Sequence, residues 1–166
     1  MTSHYSKLQI QFCGLHFNTP IVLLSGCVGF GQEYTRVVGY SNNEVGAICL
    51  KGTTGQARLG NPAHRVYETP GGMLNAIGLQ NPGVDYVIDQ ILPQLDTEET
   101  RYIANVSGST VEEYSEITAR FDDSSVAAIE INISCPNVKE GGVAFGNDPD
   151  MSARVVAACR KQTDKP

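Results

Sequence analysis

The chain has 166 residues, 41% of them hydrophobic, and a formal net charge of −6. That length and apolar content support one packed domain, residues 1–166, and argue against global disorder. The acidic balance offers no Lys/Arg stripe for a nucleic-acid groove. No apolar run approaches the roughly 20 residues of a membrane span, and the start, MTSHYSKLQIQF, lacks a signal-peptide core.

The first element is a predicted hairpin: LQIQF alternates, Gly14 allows a turn and LHF follows. Four short apolar strands come next, IVLL (21–24), GAICL (46–50), YIANV (102–106) and AAIEINI (127–133). Residues 32–40 carry a short, weak helical pattern. Segment 55–81 has little periodicity and is expected to be a long loop with fixed turns, the kind that carries function. A helix is expected from Pro82, capped by Asn81, with Val84, Val87, Ile88, Ile91, Leu92 and Leu95 on one stripe. A third helical pattern, 109–121, opens with the capping box Ser109-x-x-Glu112 and sets Val111, Tyr114, Ile117 and Phe121 on one side. A fourth, 149–162, opens at Asp148-Pro149 and carries Met151, Val155, Val156 and Cys159.

Strands alternating with helices imply parallel strands joined by right-handed crossovers, in a barrel or an open doubly wound sheet. Side chains two apart share a face. That places Ser25 with Ile21 and Leu23, Lys51 with Ala47 and Cys49, Asn105 with Ile103 and Ser107, and Asn132 with Glu130 and Ser134. Ile129, Ile131 and Ile133 take the opposite side. Each strand therefore carries a polar residue near its C-terminal end, where parallel α/β folds bind ligands. A pocket ringed by Ser25, Lys51, Asn105 and Asn132 is expected.

The five cysteines (13, 27, 49, 135 and 159) have no CxxC spacing, which disfavours zinc or a disulfide framework and favours a reducing cytosol. Cys13, Cys49 and Cys159 are expected to be small buried hydrophobes. Gly26-Cys-Val-Gly29-Phe-Gly31 spaces its glycines unlike a dinucleotide loop and reads as a permissive turn where backbone approaches a flat ligand. His64 is expected at the surface or in a structural role. The stretch EINISCPN (130–137) ends a strand in Cys135, locked by Pro136, between the carboxamides of Asn132 and Asn137. Amides that donate and accept suit a planar ligand with alternating C=O and N–H edges, and Cys135 reads either as a thiolate above that ligand or as an inert buried thiol. The glycine pair and terminal glycine of 138–146 suit a lid.

SGCVGFG, LKGTT, GNPAHRVYETPGGMLNAIGLQNPG, ANVSGS and NISCPN together resemble class 1 dihydroorotate dehydrogenase, and TPGGMLNAIGLQNPG resembles its B-type catalytic subunit. The resemblance implies a TIM (β/α)8-barrel fold, of which the sequence would cover about the first four βα units after the hairpin, an incomplete barrel. It implies oxidation of (S)-dihydroorotate to orotate in pyrimidine biosynthesis. Ser25, Lys51, Gly52, Asn105 and Asn132 would contact FMN. Lys51, Asn75, Ala76, Ile77, Gly78, Leu79, Asn132 and Asn137 would contact substrate, and Cys135 would be the base. It further implies a cytoplasmic heterotetramer built on a homodimer of catalytic subunits, with electrons leaving for NAD⁺ through a partner subunit bearing FAD and [2Fe-2S]. The alternatives are a related FMN barrel acting on another pyrimidine, like dihydropyrimidine dehydrogenase, and a non-catalytic truncated fragment.

Overall fold

A computed structural model describes residues 7–98, 100–135 and 142–166. Strand β1 (Ile10–Phe12) pairs antiparallel with β2 (Leu15–Phe17). Cys13, at φ 50°, takes one of the two positions between them and is exposed, not buried as expected: a two-residue hairpin turn holds its side chain outward.

Next come β3 (Val22–Leu23) and β4 (Ala47–Cys49). Between them the expected helix at 32–40 does not form. Single 3-10 turns stand at Tyr34–Arg36 and Asn42–Glu44, and Val37 and Val38 lie exposed with nothing to bury a helical face against. The expected loop 55–81 contains a hairpin, β5 (Val66–Thr69) and β6 (Gly72–Asn75), turning at Pro70-Gly71. Strands β7 (Arg101–Val106) and β8 (Ala128–Ile131) complete the main sheet.

The order β3-β4-β7-β8 is parallel throughout and follows the chain without reversal. A doubly wound sheet reverses its order at a switch point, whereas barrel strands follow the chain, so the arrangement is that of consecutive βα units of a barrel. The sheet is open among the described residues.

One sheet face is apolar. Ile48, Leu50, Tyr102, Ala104 and Val106 are buried there against Val87, Ile91, Tyr114, Ile117, Phe121, Val155 and Cys159 of the helices. Burying a side chain such as Phe121 contributes about 1.5–3 kcal/mol, so this layer fixes the sheet on its helices.

Helix α1 (Val84–Tyr86) runs into a π-turn (Val87–Ile91) and a 3-10 turn (Leu92–Gln94) with Pro93 inside it. The expected stripe is buried at Val84, Val87, Ile91 and Leu92. Asn81 is not its N-cap; Gly83 is. Asn81 is buried instead, accepting from Gly83 N at 2.9 Å and Thr54 N at 3.2 Å and donating to the Leu79 carbonyl at 2.8 Å. Helix α2 (Val111–Asp122) starts one residue later than expected: Thr110 Oγ1 accepts from Glu113 N at 3.1 Å, and Glu113 accepts from Ser109 N at 2.7 Å. Helices α3 (Val143–Gly146) and α4 (Pro149–Arg160) follow, with Asp148 capping α4. Val156 of α4 is exposed, whereas Val155 and Cys159 face the core. Among the described residues no helix is long and apolar enough to cross a membrane.

Candidate active site

The other sheet face ends in a cavity of about 870 Å³ at the C-terminal tips of the strands. Register decides what reaches it. Asn105 stands opposite Glu130, and Cys49 opposite Ile103, all turned from the helices. In β3 the expected parity is off by one: Val22, not Leu23, pairs with Ala47 of the cavity face, and Leu23 packs into the core. Ser25 still reaches the cavity because β3 has only two residues and the chain turns after it, passing Leu24, Ser25, Gly26 and Cys27 along the wall.

The polar floor is one connected network. Glu130 Oε1 accepts from Cys49 Sγ at 3.2 Å and from Asn105 Nδ2. Asn105 Oδ1 accepts from Asn132 Nδ2 at 3.1 Å. Asn132 Oδ1 accepts from Ser134 N at 3.2 Å and from Ser134 Oγ at 3.3 Å. Gly52 sits tightly against this network. A Cβ there would stand 2.9 Å from Asn105 Oδ1 and 3.0 Å from Leu79 Cδ2, so only glycine lets the strand tip close on the amide. Lys51 is half-buried at the rim and forms no ion pair among the described residues, which leaves its ammonium for an anion. Burial, and next the charge of Glu130, pushes the Cys49 thiol well above its ordinary range, so it is a neutral donor rather than a nucleophile.

The β5–β6 hairpin forms the wall opposite the strand tips. Val66, Met73 and Asn75 line the cavity from one hairpin face, and Ile77, Gly78 and Leu79 continue the lining. Arg65 closes the hairpin base: its carbonyl accepts from Ala76 N at 2.7 Å, and its guanidinium donates to Gln80 Oε1 at 2.6 Å. Gly78 (φ 78°) and Leu79 (φ 54°) are both left-handed. A bulky residue held in that region costs about 1–2 kcal/mol, and Leu79 is buried at the cavity, where such strain is often kept for function. Cys135 is half-buried on the cavity edge, its carbonyl accepting from Val143 N at 3.1 Å. Among the described residues no group of three His, Cys, Asp or Glu could hold a metal ion.

The sequence profile of the family described as "Dihydroorotate dehydrogenase" matches residues 7–166. The chain belongs to the dihydroorotate dehydrogenase family. Among its relatives is a protein of Anoxybacillus flavithermus named "Dihydroorotate dehydrogenase B (NAD(+)), catalytic subunit", 51% identical over 162 residues, which are 97% of this chain and 51% of that protein. Proteins of the same name from Listeria monocytogenes serotype 4b (51% identical, 97% of this chain, 53% of the relative) and Geobacillus kaustophilus (49%, 97%, 51%) match likewise. The chain spans about half the length of these curated relatives. The crystal structure of Eimeria tenella DHODH in complex with ferulenol superposes with a TM-score of 0.72 at 19% identity, over 94% of this chain and 43% of that one. The fold is that of the TIM-barrel dihydroorotate dehydrogenases.

Of the positions singled out in the sequence, Ser25, Lys51, Gly52, Asn75, Ile77, Gly78, Leu79, Asn105, Asn132 and Cys135 all line this one cavity of the dihydroorotate dehydrogenase fold. Ala76 does not. Its N–H closes the hairpin on Arg65, and its carbonyl accepts from Asn61 Nδ2 at 2.8 Å. Asn137 and residues 138–141 of the expected lid lie outside the described residues, and the rest of that segment includes α3. His64 is exposed and off the cavity. The lining also includes residues not assigned to the site in the sequence, among them Val66 and Met73 of the hairpin, Glu130, and Ile131, which was expected on the opposite side. The Pro-Gly pair between VYET and GMLN was the available hairpin signal. For Glu130 the signal was its parity with Asn132.

Proposed function

We propose that the chain forms the dihydroorotate site of a B-type dihydroorotate dehydrogenase, which oxidises (S)-dihydroorotate to orotate on the route to UMP. The observation that carries this reading is the convergence of Lys51, Asn105, Asn132 and Cys135 with Asn75, Ile77, Gly78 and Leu79 on one cavity. Its volume, about 870 Å³, lies within the roughly 300–1,000 Å³ usual for small-molecule and cofactor sites.

The residues fit FMN. Two linked carboxamides suit the polar edge of a planar ring system, Gly26 and Gly52 permit close approach, and the Lys51 ammonium complements an anion. Ser25, Lys51, Gly52, Asn105 and Asn132 would hold it. When bound, FMN supplies the acceptor for the hydride that leaves C6 of dihydroorotate.

The chain's own residues do the rest. Lys51 meets the substrate carboxylate, and Asn132 holds the pyrimidine edge. Asn75 and the Ile77–Leu79 turn shape the opposite wall, and Asn137 is the further amide assigned to the substrate. Cys135, as a thiolate, takes the proton from C5, so proton and hydride leave adjacent carbons and a C=C bond forms. Val66 and Met73 give the hairpin wall an apolar surface toward the cavity.

The relatives' name, catalytic subunit, supports a partner subunit. In this reading that partner carries FAD and [2Fe-2S] and passes electrons to NAD⁺, and a homodimer of catalytic subunits stands at the centre of a cytoplasmic heterotetramer. Purification with the partner, followed by flavin absorbance and orotate formation, tests the proposal. A flavin-free protein that forms no orotate would contradict it, and turnover of dihydrouracil in preference to dihydroorotate would redirect it to another pyrimidine.

A further inference from the structure

Glu130 faces the cavity from β8, yet no step of the proposed chemistry uses it. Its environment gives it a different task. An ionised carboxylate accepts hydrogen bonds and donates none. Glu130 Oε1 accepts two, from Cys49 Sγ at 3.2 Å and from Asn105 Nδ2.

A primary amide has one accepting end and one donating end, and the two have nearly the same shape. With its NH₂ committed to Glu130, Asn105 must turn its oxygen toward Asn132, and that oxygen accepts from Asn132 Nδ2 at 3.1 Å. Asn132 is then left with its oxygen toward Ser134, where it accepts from the backbone N–H at 3.2 Å. The row is fixed at both ends. Glu130 cannot donate at one, and a backbone N–H cannot accept at the other. Turning either amide over would set like groups against each other at two contacts. Ser134 adjoins Cys135, so the row ends beside the proposed base.

We infer that Glu130 is a positioning residue that locks the carboxamides of Asn105 and Asn132 in one orientation, and so decides which of their ends the bound flavin and pyrimidine meet. The inference rests on the proposed function and adds to it a residue that touches neither ligand in that scheme. Cys49 serves as a second donor on the same carboxylate oxygen, held from the strand two places away in the sheet.

The test compares FMN affinity, by fluorescence titration, and the rate of flavin reduction by dihydroorotate in purified wild type, Glu130→Ala, Asn105→Asp and the double variant Asn105→Asp/Glu130→Gln. Glu130→Ala is expected to weaken FMN binding roughly tenfold and to slow reduction at saturating dihydroorotate. Asn105→Asp sets two carboxylates face to face and is expected to bind FMN more weakly still. Adding Glu130→Gln supplies a donor to the new carboxylate at 105, which can still accept from Asn132. The double variant should therefore regain roughly tenfold in FMN affinity over Asn105→Asp alone. A residue that only fills space would give no such rescue.

Wild-type affinity and rate in Glu130→Ala would overturn the inference. So would a double variant that binds FMN no better than Asn105→Asp, and this comparison decides the matter if Glu130→Ala does not fold. A wild-type protein that takes up no FMN would instead contradict the proposed function itself.

Discussion

The Tyr114 hydroxyl donates to the backbone carbonyl of Asn132 across 2.5 Å, tying the buried face of α2 to the tip of the strand that carries the candidate site. Helix packing and site geometry are thereby one structure: the ring of Tyr114 is fully buried in the core, and its polar end reaches the cavity-lining strand. Tyr114→Phe keeps the ring and removes this bond. It should cost about 1 kcal/mol of unfolding free energy, read by urea titration, and should weaken FMN binding with it. Unchanged stability and unchanged affinity together would show that the brace carries nothing.

Lys51 has no carboxylate partner among the described residues, although it stands at the rim of a cavity assigned to an anionic substrate. Lys51→Met should raise KM for dihydroorotate roughly tenfold to a hundredfold, the usual worth of a hydrogen bond to a charged group. Steady-state kinetics should show little change for an uncharged pyrimidine analogue. An equal loss for both substrates would place Lys51 against the ring rather than the carboxylate.

Gly78 is buried, left-handed and closely packed: a Cβ there would stand 2.7 Å from Asn61 Cγ and 2.8 Å from Asn61 N. Gly78→Ala should therefore destabilise the protein by more than the roughly 1–2 kcal/mol of the backbone conformation alone. A thermal melt should show Tm lowered by roughly 5 °C or more. A melt at the wild-type temperature would mean the Gly78–Leu79 turn is not held as described.

Alkaline pH should weaken the fold. Burial comes first among the causes that raise Cys49, Cys159, Tyr102 and Tyr114 above their ordinary values of 9.0 for the thiols and 10.0 for the phenols. In the unfolded chain these groups lose their protons at the ordinary values, while in the folded chain they keep them. The stabilisation is thus fully present below about pH 9 and is lost progressively as the pH rises above it. Urea midpoints should fall between about pH 9 and 11, and Cys49→Ala should flatten the fall. A midpoint that holds or rises over that range would contradict the burial of these groups. Thiol labelling gives a parallel check: exposed Cys13 and Cys27 should react in the folded protein, and Cys49 and Cys159 only on unfolding.

Much of the site was legible in the sequence because strand parity is strict. Once Ile48, Leu50, Tyr102, Ala104 and Val106 are assigned to the helix side, Cys49, Lys51, Asn105 and Asn132 have only the other side to occupy. Parity failed in IVLL, which is apolar at every position and offers no alternation to read. The hairpin at 66–75 was hidden by its exposure. Tyr67 and Leu74 face solvent, so the segment lacks the half-buried pattern that marks a strand, and backbone pairing, together with the hydrogen bond from the Thr69 hydroxyl to the Gly72 carbonyl, organises it. The helix expected at 32–40 had the opposite failing, a faint pattern with no core surface to receive it. Glu130 was visible on the right face, but its partners Cys49 and Asn105 lie 81 and 25 residues away in the chain, so only the folded sheet shows what it holds.

The most direct measurement is anaerobic stopped-flow reduction of the FMN-loaded protein by dihydroorotate, comparing wild type with Cys135→Ala and Cys135→Ser. With Cys135 as the base, Cys135→Ala should keep FMN bound and slow reduction by roughly a hundredfold to ten-thousandfold. Cys135→Ser should retain only part of the rate, since a hydroxyl is a weaker acid than a thiol. Flavin reduction at the wild-type rate in Cys135→Ala, with FMN fully bound, would contradict the account.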